Sequence, residues 1–282
     1  MRMGWFGAPA EVGERLRGVD YLADEGIVTS VFLAGALEKP LLVEGPAGVG
    51  KTQLAKAVAG ATGAELVRLQ CYEGLDEARA LYEWNYKKQL LRIQAEDDAW
   101  EDIFSEEFLL ERPLLKAIRN DAPTVLLIDE IDKADVEVEG LLLEILSDYQ
   151  VTIPELGTIS AVRKPYVVLT SNATRELSEA LKRRCLYLHL GYPTPERERD
   201  IVLAQVPGLA GNLAEQLART VATLRSLELK KSPSIAETID WGRTLLALGR
   251  AELDEDTIGE TLGVVLKHHS DQARAVKELG LS

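Results

Sequence analysis

The sequence predicts an α/β domain built on a parallel sheet, followed by a smaller domain made of helices alone. Three observations carry this. Uninterrupted apolar runs at 41–43, 125–128 and 166–169 read as strands covered on both faces, the pattern of a parallel sheet. Segments with apolar residues at helical spacing alternate with those runs, as in α/β folds. Beyond a linker marked by Gly191, Pro193 and Pro195, every segment is helical in pattern.

Taken in order, residues 1 to about 37 read as short helices. Pro40 stops the helix VFLAGALEK, and PLLVEG supplies the first strand. KTQLAKAVAGATG reads as a helix that ends at Gly63. AELVRLQCY (64–72) is the second strand. ERPLLKAIRND (111–121) is a helix with Leu114, Leu115 and Ile118 on one face. TVLLIDE (124–130) is the third strand and the most apolar. ADVEVEGLLLEILSDY is an amphipathic helix, and QVTIPELGTISAV (150–162) is a hairpin around a Pro-Gly turn. YVVLTSN (166–172), the short basic helix LSEALKRRC and the strand LYLHL (186–190) complete the series. The boundary falls near 192, giving domains 1–192 and 193–282.

Composition narrows the function. Of 282 residues, 46% are hydrophobic and 28% charged, enough apolar material for a core. No apolar run reaches the ~18 residues of a membrane span, and the N-terminus lacks an apolar stretch of signal-peptide length. The expected location is the cytoplasm, with no membrane partner. The 32 basic and 46 acidic residues leave a net charge of −14, which repels a polyanion and argues against nucleic acid as a partner. Cys71 and Cys185 are read as reduced structural thiols. They show no metal-ligand spacing with His189, His268 and His269, so no structural zinc is expected.

Gly45-Pro46-Ala47-Gly48-Val49-Gly50-Lys51-Thr52 matches G-x-x-x-x-G-K-[ST] at every fixed position. Glycines let successive N–H groups turn inward onto phosphate oxygens, and the helix that follows presents its anion-favouring end. The cofactor-binding segment is read as Gly45 through Gln53. Lys51 reaches the β- and γ-phosphates, and the Thr52 hydroxyl ligates Mg²⁺. Asp129 and Glu130 close the most apolar strand. Asp129 would hold the metal through its water shell, and Glu130 would polarise the attacking water. Asn172, at the tip of YVVLTSN, stands either as a turn residue or as a group that contacts the water or the γ-phosphate. Arg183 and Arg184 read either as the cationic end of a helix or as an arginine supplied to a neighbouring subunit's γ-phosphate.

GPAGVGKT, LLIDEIDKA, TSN and LKRRCLY, in that order and followed by helices, resemble the AAA+ ATPases, and within them the MoxR family. RLQCYEGLD…YEWNY, LSDYQVTIPELGTI and AETIDW are closest to its CoxD-like branch, which is linked to maturation of molybdenum-containing carbon monoxide dehydrogenase-type enzymes. The resemblance runs from about residue 11 to 270. It implies a P-loop fold whose five-stranded parallel sheet has the order 5-1-4-3-2, with a helical lid and a hexameric ring. By motif, residues 45–52 are Walker A, Asp129 and Glu130 Walker B, Asn172 sensor 1, and Arg184 or Arg183 the arginine finger. The resemblance also implies ATP as the nucleotide, a protein client and a partner with a von Willebrand factor A domain.

One departure concerns the lid. Where the family usually carries a sensor-2 arginine, this chain reads SPSIAETIDWGRT, with Glu237 or Thr238 near the expected place and Arg243 further along. Residues about 71–107 occupy the place of the clade's insert after the second strand. Within it Tyr82, Trp84 and Tyr86 alternate as on a strand, with one face of aromatics either packed in the core or exposed to grip a partner. The run 96–107 holds seven acids and no base, read as a solvated helix face or loop. The function expected is Mg²⁺-dependent ATP hydrolysis that remodels or matures a protein client. Two alternatives stand beside it. One is a nucleic-acid-acting relative such as a clamp loader or helicase; the other is a nucleotide-binding assembly switch with weak hydrolysis.

Overall fold

The computed structural model describes residues 4–95 and 103–280, so residues 96–102 of the acidic run lie outside the described residues. The chain forms two compact units. The first comprises Met1–Val19, Ala23–Glu44 and Lys51–His189; the second comprises Asp20–Leu22, Gly45–Gly50 and Leu190–Ser282.

In the first unit, helices α1 (Pro9–Arg17) and α2 (Glu25–Ala36) precede strand β1 (Leu41–Glu44). Pro9 sits in the first turn of α1, where a missing N–H costs nothing. The Asp24 carboxylate caps α2 by accepting from the Ile27 N–H at 2.8 Å. Helix α3 (Lys51–Thr62) leads to β2 (Glu65–Gln70). Then follow α4 (Glu77–Ala80), β3 (Tyr82–Trp84), α5 (Tyr86–Ala95), β4 (Leu109–Glu111) and α6 (Pro113–Arg119). Strand β5 (Thr124–Asp129), helix α7 (Val136–Asp148), the hairpin β6 (Gln150–Ile153) and β7 (Gly157–Ser160), β8 (Tyr166–Ser171), α8 (Glu179–Lys182) and β9 (Leu186–His189) complete the unit.

The main sheet is ordered β2-β5-β8-β1-β9, and every neighbouring pair is parallel. Counted along the chain, its five strands read 5-1-4-3-2 from the β9 edge. Strands β5 and β8 are buried at all six positions, because helices cover both faces of a parallel sheet. Register sets the site. Glu44 pairs with Ser171, Ile128 with Leu169, and Gln70 with Asp129. The carboxyl ends of β1, β2, β5 and β8 therefore finish at one edge, the edge where open α/β sheets bind ligands.

The segment between β2 and α6 corrects one expectation. Tyr82, Trp84 and Tyr86 do not share a strand face. Strand β3 ends at Trp84, and Asn85 turns the chain into α5 by accepting the Lys88 N–H on its side chain and the Gln89 N–H on its carbonyl. Trp84 is 7% exposed and stacks edge-on against Phe104 and Tyr82, whereas Tyr86 is 60% exposed.

The second unit contains α9 (Pro195–Gln205), α10 (Gly211–Ser226), α11 (Ile235–Ala247), α12 (Glu255–Thr261) and α13 (His269–Leu279). Its core centres on Trp241, fully buried, whose indole N–H donates to Thr261 Oγ1 at 2.7 Å. Glu198, also fully buried, accepts Arg225 at 2.5 and 2.8 Å and the Thr238 hydroxyl at 2.6 Å. A buried carboxylate is tolerated only when paired and hydrogen-bonded in this way.

No helix among the described residues is long and apolar enough to cross a membrane. Leu127 is fully buried in β5. Leu127→Ala is expected to destabilise the protein by about 2–5 kcal/mol, read as a lowered urea midpoint.

Candidate functional site

The functional side chains gather at the carboxyl edge of the sheet. Lys51 opens α3 and is 6% exposed; its Nζ donates to Asn172 Oδ1 at 2.7 Å, from just beyond the end of β8. Burial lowers the Lys51 pKa from its ordinary value, opposed by the surrounding carboxylates of Asp132, Asp129, Glu130 and Glu44. Thr52 Oγ1 donates to Asp129 at 2.9 Å on Oδ1 and 3.2 Å on Oδ2.

Asp129 has two further donors. The Thr170 hydroxyl reaches Oδ1 at 2.5 Å, and Arg68 Nη2 reaches Oδ2 at 2.5 Å. The Glu130 N–H donates to Thr170 Oγ1 at 2.9 Å, so Thr170 links the backbone of one acid to the side chain of the other. Glu130 has φ 58°, a left-handed conformation that costs a non-glycine residue about 1–2 kcal/mol. Strain of this kind persists only where the surroundings enforce it. The Glu130 carboxylate accepts from Gln70 Nε2 at 2.9 Å and Lys133 Nζ at 2.7 Å.

Asp132 is 3% exposed and accepts on Oδ2 from the Thr174 N–H at 3.1 Å and hydroxyl at 2.6 Å. Its Oδ1 is buried without a partner. Burial works to raise the Asp132 pKa, but hydrogen bonds led by those from Thr174 outweigh it and hold the carboxyl below its ordinary value. Nearby, buried Glu139 accepts from Arg175 at 2.5 Å and from the Ser178 N–H at 2.9 Å. There too burial is outweighed, by Ser178 and Arg175, and the pKa is lowered. Burial, reinforced by Asp129, Asp132 and Glu130, pushes the Cys71 thiol up to about 12.

A divalent cation fits this donor set. The Thr52 hydroxyl and the Asp129 carboxylate are adjacent hard oxygen donors. Magnesium is usually held by only one or two carboxylates and otherwise by water and phosphate. Consistent with that, no group of three metal-binding side chains occurs among the described residues.

The loop 45–50 joins β1 to α3 and belongs to the second unit. Two of its glycines are sterically required. A Cβ on Gly45 would lie 2.0 Å from the Leu190 carbonyl oxygen. A Cβ on Gly48, at φ 76°, would lie 2.3 Å from the Ser234 Cβ. The Ile235 N–H donates to the Gly48 carbonyl at 3.2 Å, at the start of α11, which is closed by a capping box of Ser234 and Glu237.

The structure brings together Lys51, Thr52, Asp129, Glu130 and Asn172. It does not bring Arg184 to them: its guanidinium donates to Ser147 Oγ and the Ala180 carbonyl, and Arg183 is an exposed cap of α8. In the second unit Thr238 is bound to Glu198, and Arg243 pairs with Asp240 at 3.2 Å on the surface. Sequence reasoning missed Arg68, Gln70, Thr170, Asp132 and Lys133. A signal existed for two of them: Arg68 and Gln70 lie two apart in β2, hence on one face, and the order 5-1-4-3-2 places that strand beside the Asp129 strand.

The family model described as an AAA domain (dynein-related subfamily) matches residues 40–185. An uncharacterized protein of Staphylococcus haemolyticus (strain JCSC1435) is 26% identical, over 80% of this chain and 82% of the relative. One from Staphylococcus aureus (strain USA300) is 27% identical over 75% and 77%. Among solved structures, a proline-to-glycine mutant of Thermotoga maritima RuvB is similar at 18% identity and a TM-score of 0.48, covering 98% of this chain and 72% of that one.

The depressed carboxyls of Asp132 and Glu139 predict an acid-labile fold. A carboxyl whose pKa is lower folded than unfolded adds stability above its unfolded value and loses it as the pH falls. The Glu139 contribution is therefore complete above its ordinary 4.5 and lost progressively below it. Glu139→Gln is expected to cost about 1–3 kcal/mol at neutral pH and to flatten the acid limb, read from urea midpoints between about pH 3 and pH 7.

Proposed function

The chain belongs to the AAA domain family, dynein-related subfamily, and on that premise we propose that it is a magnesium-dependent ATPase whose turnover remodels or matures a protein client. The observation that carries the reading is the Thr52–Asp129 hydrogen bond at 2.9 Å. It unites residues 77 apart in sequence, one ending the phosphate-loop motif and the other ending the most apolar strand.

In this reading residues 45–53 hold the triphosphate through backbone N–H groups and the start of α3. The Lys51 ammonium, buried among carboxylates, turns to the β- and γ-phosphates. Thr52 and Asp129 would hold magnesium, which when bound neutralises charge on the transferring phosphoryl group. Glu130 accepts the proton of the attacking water, oriented by Gln70 and Lys133. Asn172, already bonded to Lys51, contacts the γ-phosphate or that water. Arg184, or its neighbour Arg183, is exposed on the molecule's surface and serves the γ-phosphate of an adjacent copy.

The finer reading is a cytoplasmic hexameric ring of MoxR type with a von Willebrand factor A-domain partner. Its client would be a molybdenum-containing carbon monoxide dehydrogenase-type enzyme. It is supported by the motif wording in LLVEGPAGVGKT, LSDYQVTIPELGTI and AETIDW. The division at about 192 into a nucleotide-binding domain and a helical lid is part of the same proposal.

Two substitutions separate binding from chemistry. Lys51→Ala should weaken ATP binding by about 100-fold or more, the value of a charge-assisted contact, measured by calorimetry. Glu130→Gln should bind ATP normally and release phosphate about 10²–10⁴-fold more slowly. A Glu130→Gln enzyme that turns over at the parental rate would remove the hydrolytic role.

A further inference from the structure

Helix α5 is inverted. Its sequence YKKQLLRIQA places Gln89 inward, 5% exposed, with its amide donating to the Ile103 carbonyl at 2.6 Å. Its large apolar residues point outward: Tyr86 is 60% exposed, Leu90 and Leu91 each 59%. Tyr86 and Leu90, four apart, form one ridge. Lys87 is exposed beside them; the helix has three bases and no acid, of which Lys88 is engaged with Glu107, in a chain of net charge −14. An exposed apolar face of this kind marks an interaction surface.

The same unit carries the complementary surface. An open cavity of about 340 Å³ is floored by Leu75, Val138 and Leu141 and rimmed by Asp76, Glu77, Asp135 and Glu137. The Gly74 N–H donates to Asp135 Oδ2 at 3.2 Å and ties its two walls together. The acidic rim faces an apolar floor, as the basic α5 flanks an apolar ridge.

We propose that α5 of one copy docks into the acidic groove between residues 74–77 and the first turns of α7 on the next copy. Leu90 and Tyr86 would enter the apolar floor, and Lys87 would meet the carboxylate rim. Because the two surfaces differ, the contact is head-to-tail and propagates into a closed ring or a filament. The inference rests on the reading of the chain as a self-assembling ATPase and names the surfaces that reading leaves open. An anionic membrane suits α5 less well: the helix is short and the whole chain is negative.

The test uses the full chain with ATP and magnesium, assembly being read by sedimentation velocity and fold by circular dichroism. Leu90→Glu, at an exposed position that leaves the fold intact, should raise the concentration for half-assembly at least ten-fold, because it sets a carboxylate against four others. Leu90→Lys, equally polar but of opposite sign, should do much less harm. Adding Glu137→Lys to Leu90→Glu should restore assembly. Equal damage from Leu90→Glu and Leu90→Lys, or absence of rescue, would overturn the groove as the occupant's seat. Unchanged assembly in Leu90→Glu, including the case where that variant loses only binding to phosphatidylserine vesicles, would overturn the proposal outright. ATP calorimetry on the same samples keeps the two readings apart: loss of nucleotide binding by the parental chain sinks the ATPase, whereas intact binding with unchanged assembly sinks only the docking.

Discussion

The Asp129 carboxylate is the constraint around which the carboxyl edge of the sheet is built. It is 3% exposed and ends a strand buried at every position, so no bulk water solvates it. An ion in that place must receive hydrogen bonds from the protein. Thr52, Thr170 and Arg68 supply them from α3, β8 and β2. Each donor belongs to a different element, so the carboxylate fixes the ends of three elements relative to one another. Thr170 then passes the constraint on to the Glu130 backbone, whose left-handed turn aims the second acid away from the strand.

Charge around Lys51 has its own logic. Lys51, Arg68 and Lys133 face Glu44, Asp129, Glu130 and Asp132, so carboxylates outnumber cations. A bare triphosphate entering this environment meets net repulsion. Under the proposed ATPase reading, a divalent cation between the Asp129 side and the phosphates would reverse that balance. Burial lowers the Lys51 pKa, and these same carboxylates oppose that shift in part.

The legible parts of the molecule were those whose cause is local. Strands β5 and β8 announce themselves because burial on both faces demands unbroken apolar runs, and the loop at 45–52 because its fixed glycines, lysine and threonine fall at set spacing within eight residues. Arg68 and Gln70 were missed because their role comes from β2 lying beside β5, and pairing between strands some 55 residues apart leaves no local mark. The aromatic triplet failed for a different reason. A period of two was extended across Asn85, whose side chain had already turned the backbone into a helix. Tyr86 thereby changed face, and Trp84 alone kept the core position.

That break at Asn85 also explains why the insert looks unlike the rest of the unit. Elsewhere helices bury their apolar stripe against the sheet: α6 hides Leu114, Leu115 and Ile118, and α7 hides Val138, Leu142 and Ile145. Helix α5 instead packs on the turn around Phe108. Its inner face rests on the short segment near Phe108, where a lysine already lies over the ring and bonds the Glu107 carbonyl. There Gln89 is buried, while Tyr86, Leu90 and Leu91 face outward. Packing within a single chain gives no advantage to Tyr86, Leu90 and Leu91 at those positions over polar residues of equal helix propensity. Their apolar character fits the proposed contact with a second copy, whose acidic groove beside α7, lined by Leu75, Val138 and Leu141, has matching chemistry.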